Sequence, residues 1–312
     1  MTIMEGETML EIAIMLEGQN GLNWARWQKI VRLVEESGFV GLYRSDHFTN
    51  ANAPDLDSLE LWTSLTWLAC STNRIEFGPL VTPFSFRHPA FTARIASAVD
   101  DLSGGRLTLG MGAGWQEREH HLFGFDLLEP KERYDRFEEG MEVVMRLLQS
   151  NEPATFEGQY YQLRGATVLP RPQRPGGPCI LVGGDGGKRM MSLVVRYADE
   201  WNCVMVLPDD LARKNKQLTE LLTTAGRKPE SVRRSMMTGC VFGKDDSALR
   251  EKLSARKRTV EELQARGTVA GSPSQVREQL KVLEEAGLQR VMLQWLDLDD
   301  LAGLEALAKA VM

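Results

Sequence analysis

The feature that most constrains this chain is an alternation. Short apolar runs suited to buried strands recur at residues 11–15, 39–43, 75–81, 104–115, 179–182, 200–206, 236–242 and 290–295. Helical patterning follows them, at 23–37, from Asp57 or Ser58 to about 70, and at 89–102, 132–148, 188–197, 209–225, 247–265 and 274–286. Eight such units in 312 residues match the arithmetic of a (β/α)8 TIM barrel, about 250 residues plus insertions. A doubly wound open sheet is the alternative. The barrel is preferred because Asp46-His47, Pro79-Leu80, Gly112–Gly114 and Gly183–Gly187 all follow strand carboxyl ends, and in a barrel those ends share one rim. Residues 151–178 interrupt the alternation with a small hairpin around Gly158 and a proline- and arginine-rich linker. This reads as an insertion between strands 4 and 5 of a single domain spanning residues 1–312, not as a boundary.

Two glycine-rich stretches mark the rim. Gly110, Gly112 and Gly114 occupy alternate positions after Leu107 and Leu109, which either lets a ligand touch backbone or lets strands pack tightly. A dinucleotide fingerprint is set aside, because the third glycine comes one residue early and Trp115 stands where it belongs. Residues 183–187, Gly-Gly-Asp-Gly-Gly, open a helix at Lys188. Backbone amides at a helix start form a phosphate seat, and Lys188 and Arg189 add positive charge; a flexible turn is the plainer alternative. If the seat is real, bulk at Gly184 should fill the space where amides meet phosphate. Pro79, inside strand 3, predicts a local irregularity there.

Composition narrows the partners. With 43% hydrophobic residues, 26% charged residues and a net charge of −6, the chain resembles a soluble protein that binds a small molecule rather than nucleic acid or an anionic membrane. Cys70, Cys179, Cys203 and Cys240 are widely separated among apolar residues. They suggest neither a metal site nor a disulfide frame, and fit a reducing cytoplasm. No basic leader or membrane-length apolar run is evident, and Met1 to Thr8 read as an extension before Met9.

Among single residues, His47 is the candidate for proton chemistry, since its unperturbed pKa lies near neutrality and Asp46 or another rim carboxylate could tune it. A lone histidine after a strand is more often only a hydrogen-bonded surface residue. Glu117 and Asp46 are the next proton-carrying candidates. His88 reads as a brace at the strand 3 exit. His120 and His121 with Glu117 match no metal-ligand spacing and read as a solvated helix start, so no metal is expected. Trp62, Trp67, Phe84 and Phe86 could line an apolar pocket but suit a core better.

An ordered set of motifs resembles the bacterial-luciferase-like superfamily, especially its coenzyme F420-dependent oxidoreductase branch. The set comprises Ser45-Asp46-His47-Phe48, the run 77–83, Arg87-His88-Pro89, residues 102–115, Glu132-Arg133-Tyr134, residues 156–161 and residues 197–202. The resemblance implies a barrel with one irregular excursion, a flavin-type ring in its mouth and a homodimer. It implies a non-proline cis peptide at the end of strand 3, by position Pro79-Leu80, backing the ring. It assigns His47 to the reactive ring atoms, and Asp46, Pro79, Leu80, Gly112, Ala113, Gly114, Gly183, Gly184, Asp185 and Gly186 to cofactor binding. Relatives that oxidise a sugar phosphate carry an acid where this chain has Trp115, so that substrate is not expected. The implied activity is hydride transfer between F420 and a small organic substrate. An FMN-dependent monooxygenase is the alternative, and a catalytically silent flavin-binding protein a third reading.

Overall fold

A computed structural model describes residues 9–312; the extension expected at Met1 to Thr8 lies outside the described residues. In order, the chain forms β1 (Glu11–Leu16), α1 (Trp24–Glu36), β2 (Gly41–Arg44), α2 (Leu61–Ser71), β3 (Glu76–Pro79), β4 (Thr82–Pro83), α3 (Pro89–Ser103) and β5 (Thr108–Gly112). There follow α4 (Glu117–Phe123), α5 (Pro130–Gln149), β6 (Ala154–Glu157), β7 (Gln162–Ala166), β8 (Cys179–Gly183), α6 (Lys188–Tyr197), β9 (Glu200–Val204) and α7 (Pro208–Thr224). The last part is β10 (Arg233–Phe242), α8 (Asp246–Arg256), α9 (Val260–Gln264), β11 (Val269–Gly271), α10 (Pro273–Glu285), β12 (Arg290–Gln294) and α11 (Leu301–Val311).

The parallel sheet runs β3-β2-β1-β12-β10-β9-β8-β5-β4, with β11 branching from β10. It closes where Phe77 bridges Leu107 and where Thr82 and Pro83 pair with Met111 and Gly112. This is a (β/α)8 barrel whose third strand is split into β3 and β4. At the seam the strands approach so closely that a Cβ on Gly78 would collide with the Thr108 carbonyl, and one on Gly110 with the Pro79 carbonyl. Tight packing therefore accounts for Gly110. The hairpin β6-β7 forms its own antiparallel sheet, in sequence between α5 and β8.

Strand alternation sorts the core into two layers. Ile12, Ile14 and Leu16 face the helices in one large cluster with Trp27, Phe77, Trp201 and Trp295. Ala13 and Met15 instead join Tyr43, Leu181 and Met292 inside the barrel. At the amino end of the barrel, the first residues of five strands form a charged ring. The buried Arg290 guanidinium reaches Glu11 at 2.6 Å, Glu76 at 2.7 Å and Glu200 at 3.3 Å, and donates to the Tyr43 hydroxyl at 2.7 Å. Arg233 joins at 3.3 Å from Glu200.

Several sequence expectations need correction. The non-proline cis peptide is Leu80-Val81, one residue beyond Pro79-Leu80. The second helix starts at Leu61, not at Asp57 or Ser58, because those side chains are engaged elsewhere: Asp57 accepts from Asn23, and Ser58 donates to the His47 carbonyl at 2.6 Å. Glu60 caps the helix instead, accepting from the Thr63 amide at 2.6 Å. The helix expected over 247–265 is two, divided at Lys257 in the left-handed region and restarted by a Thr259–Glu262 capping box.

Candidate active site

A cavity of about 490 Å³ opens at the carboxyl ends of the strands. Of the residues assigned from the sequence, Asp46, His47, Leu80, Gly112, Ala113, Gly114, Gly183, Gly184 and Asp185 line it. Pro79 and Gly186 do not: Pro79 is spent in β3, and Gly186 sits behind the rim against Met191 and Lys214.

His47 leaves β2 and is held by α4. Its Nδ1 lies 2.7 Å from Glu119 Oε1, while Glu119 Oε2 accepts from the Phe48 amide at 2.9 Å. Glu119 is 1% exposed, so this is a desolvated pair in which the carboxylate orients the ring and favours the Nδ1–H form. His47 Nε2 has no hydrogen-bond partner among the described residues. Burial disfavours the charged ring, but the hydrogen bond and charge of Glu119, backed by Glu17 and Asp46, outweigh it and raise the His47 pKa above its ordinary value. Gln116 donates to the Thr49 carbonyl at 2.9 Å, with its amide nitrogen 3.3 Å from His47 Nδ1. The largely exposed Trp115 sets its ring edgewise to His47 at 5.6 Å.

Glu119 and His120 were missed in the sequence. The stretch read as a solvated helix start is the short helix α4, closed by left-handed Gly124, and it buries Gln116, Glu119 and His120. Spacing of three and four residues, stopped by a glycine, is the signal that could have found this face. His120 lines the cavity, with Nδ1 2.6 Å from the Gln116 carbonyl and Nε2 2.7 Å from Ser85 Oγ. Burial lowers its pKa, so it is the neutral histidine of the site. Asp46 is committed too: its Oδ2 accepts from Thr82 at 2.7 Å and pairs with Arg87, tying the exit of β2 to β4. Glu117 is exposed and does not line the cavity. Met15, Glu17 and Met237 also line the cavity without having been singled out in the sequence, as do Tyr134 and Asn202, which belong to the resemblance motifs but were given no role.

After the lining residues Gly183–Asp185, α6 begins at Lys188 behind Gly187, with no side-chain cap and no acidic residue in its first turn. Its leading amides are therefore open to an anion. The reasoning about Gly184 changes, however. Its φ of 151° demands glycine, and a Cβ there would meet the Met190 Cε at 2.9 Å rather than empty space. Gly187 is the open position, with no atom within 4 Å of an added Cβ and an ordinary φ. Arg189 is consumed by Asp135 and Glu138 at 2.7 and 2.8 Å. Lys214 from α7 takes its place beside the loop, donating to the Asp185 carbonyl.

None of Trp62, Trp67, Phe84 or Phe86 lines the cavity. Phe84 packs on Phe137, Phe86 on His120 and Phe48, Trp67 on Trp24, and Trp62 is core. His88 caps α3, accepting from the Ala90 amide. Among the described residues no group of three or more His, Cys, Asp or Glu side chains is placed to hold a metal ion, and no helix is long and apolar enough to cross a membrane.

The luciferase-like monooxygenase family profile matches residues 4–264. The chain belongs to that family. An F420-dependent glucose-6-phosphate dehydrogenase from Kineococcus radiotolerans is 31% identical over 214 residues, covering 68% of this chain and 62% of the enzyme. A phthiodiolone/phenolphthiodiolone dimycocerosates ketoreductase from Mycobacterium tuberculosis is 33% identical over 207 residues, covering 65% of this chain and 53% of that protein. The chain thus spans less than two thirds of the length of either relative. Among solved structures, an F420-dependent secondary alcohol dehydrogenase with an F420-acetone adduct superposes with a TM-score of 0.83 at 17% identity, over 97% of this chain and 98% of that one. The monooxygenase RslO1 from Streptomyces bottropensis gives 0.80 at 21% identity, over 96% and 98%. Both share the barrel.

Proposed function

We propose that this chain is an oxidoreductase transferring a hydride between coenzyme F420 and a small organic substrate. The observation that carries the reading is the His47–Glu119 pair, with one ring nitrogen left for a ligand, in a cavity that Gly183–Asp185 and Met190 also line, next to the uncapped start of α6. That donor set fits a flat ring with a phosphate-bearing tail: Leu80 and Val81 with Gly112–Gly114 offer an apolar wall, and Gly187 with the first turn of α6, just beyond the lining residues Asp185 and Met190, offers the anion seat. When bound, F420 gives or takes the hydride at carbon 5 of its deazaflavin ring. Glu119 holds the imidazole, and His47 Nε2 gives or receives the proton that accompanies hydride transfer at a carbon bonded to oxygen or nitrogen. Asp46 fixes Thr82 and Arg87 and so supports the wall without carrying the proton. Lys188 and Lys214 place positive charge at the seat.

The names of the two relatives, one an F420 enzyme and one a ketoreductase, support the same reading. An FMN-dependent monooxygenase is the second reading, supported by the luciferase-like monooxygenase profile over residues 4–264. Separate titrations with F420 and FMN, followed by fluorescence, decide between them. F420 is expected to bind in the micromolar range or tighter, and FMN more weakly. The reverse order would replace the first reading with the second. The reading also carries a single domain over residues 1–312 and a homodimer working in the cytoplasm, without nucleic acid or membrane partners.

A further inference from the structure

We propose that the site is selective for substrate charge: it accepts an uncharged carbonyl compound or alcohol with an apolar body, and rejects phosphorylated and carboxylated substrates. The inference rests on the hydride-transfer reading and deepens it. No lysine or arginine is among the residues lining the cavity, whereas Glu17, Asp46, Glu119 and Asp185 all are. The guanidinium groups nearest the mouth are already consumed. Arg87 is held by Asp46 and Glu60, Arg118 by Asp55, Arg133 by the Gly114 and Leu128 carbonyls, and the buried Arg44 by Ser64 and the Leu59 carbonyl. The two lysines that remain, Lys188 and Lys214, stand at the α6 loop, the end assigned to the cofactor's phosphate.

At the His47 end the surroundings are the reverse of an anion site. The Glu17 carboxylate faces the cavity and accepts from Gln19 at 2.8 Å and from Gln294 at 2.7 Å, both neutral partners, so its charge is met only at a distance, by the buried Arg44 and by His47 when protonated. Met15, Met237 and Leu80 supply apolar surface beside it, and Trp115 adds an exposed aromatic face. A buried anion with no counter-charge and a carboxylate for a neighbour is strongly disfavoured, while an apolar ring gains by leaving water. In a neutral secondary alcohol, the carbinol C–H bond breaks to give hydride to the cofactor and the hydroxyl proton goes to His47 Nε2, leaving a ketone. Reduction reverses the same balance. The glucose-6-phosphate dehydrogenase to which the chain is 31% identical acts, by its name, on a phosphorylated sugar, so charge selection is where the two would part.

The test uses a matched pair on cofactor-loaded protein: 4-methylcyclohexanone and 4-oxocyclohexanecarboxylate, which differ in charge on the same ring, with binding measured by calorimetry. Cofactor binding is measured first. If F420 fails to bind and FMN binds, the hydride-transfer reading falls, and the ketone pair is run on FMN-loaded protein, where the charge preference is read separately. The neutral ketone is expected to bind at least about tenfold more tightly than the carboxylate, with glucose 6-phosphate no better than the carboxylate. Glu17→Gln, which removes charge, keeps one acceptor oxygen for Gln19 and requires the Gln294 amide to turn and accept from the new amide nitrogen, is expected to narrow the gap at least about threefold. Equal or tighter binding of the anion, failure of the neutral ketone to bind, or a gap unmoved in Glu17→Gln would overturn the proposal.

Discussion

The two ends of this barrel use charge in opposite ways. At the amino end, first residues of five strands are closed on one another, with Arg290 bridging Glu11, Glu76 and Glu200 around the Tyr43 hydroxyl. At the carboxyl end, Glu119 holds His47 by one nitrogen and leaves the other open, while Glu17 faces the cavity with only amide partners. Charges that satisfy each other serve the fold; on the function proposed above, charges left with an unused atom beside the cavity serve chemistry. That division is the usual one in barrels, where the loops after the strands carry function and the opposite face carries stability.

Substitutions at the two ends should therefore fail differently. The largest stability effect is expected from Arg290→Met, which leaves three carboxylates, one of them fully buried, to Arg233 alone at 3.3 to 3.9 Å. Denaturant unfolding should show a loss of about 3–5 kcal/mol, with F420 affinity retained by whatever remains folded; a loss below about 1 kcal/mol would dissolve the contrast between the ends. His47→Asn should do the reverse, lowering kcat by about 10²–10⁴-fold while cofactor affinity moves less than about tenfold, which is 1.4 kcal/mol. A small kcat loss would reduce His47 to a residue that only positions the ring. Gly187→Asp sharpens the comparison further, because one change should raise stability and lower binding together. An aspartate there can cap α6, worth only a few tenths of a kcal/mol over glycine plus about 0.3–1 kcal/mol from its charge at the helix start in a melting experiment, yet that charge should weaken F420 binding about tenfold. Unchanged affinity would move the phosphate seat elsewhere.

A smaller effect concerns stability against pH. Because the folded His47 pKa is raised, the protonated pair with Glu119 stabilises the fold fully below about pH 6.5, the unfolded histidine value. The contribution fades as pH rises through the folded pKa. Melting temperatures across pH 5–9 should show this slope in the wild type and not in His47→Asn.

The barrel was legible because strand and helix periodicities are local, and β1, α1 and α6 fall within a residue or two of their sequence positions. That His47, Gly112, Gly114, Gly183 and Gly184 line the cavity was legible because residues after barrel strands face its mouth, whereas Gly186 does not line it. Glu119 was not, since it meets His47 across 72 residues of sequence, a contact no periodicity encodes. The amino-end ring was invisible for a related reason: Glu11, Glu76, Glu200, Arg233 and Arg290 each look like the polar edge of an apolar run. Pro79 drew the irregularity one residue early, because a missing amide shows in sequence and the Leu80-Val81 backbone does not. Gly184 was read for the space it leaves, when its backbone angle and Met190 are what require it.

The central claim is that His47 carries the proton and Glu119 sets when it does so. The most direct test is the pH dependence of kcat/KM in the wild type, Glu119→Gln and His47→Asn. The wild type should show an ionisation centred above the ordinary histidine value near 6.5, falling with pH for reduction and rising with pH for oxidation. Removing the Glu119 charge leaves burial, which disfavours the protonated ring, so the midpoint in Glu119→Gln should move to lower pH. In His47→Asn that ionisation should vanish. A midpoint unmoved in Glu119→Gln, or an ionisation that persists in His47→Asn, would contradict the account and send the proton through another group.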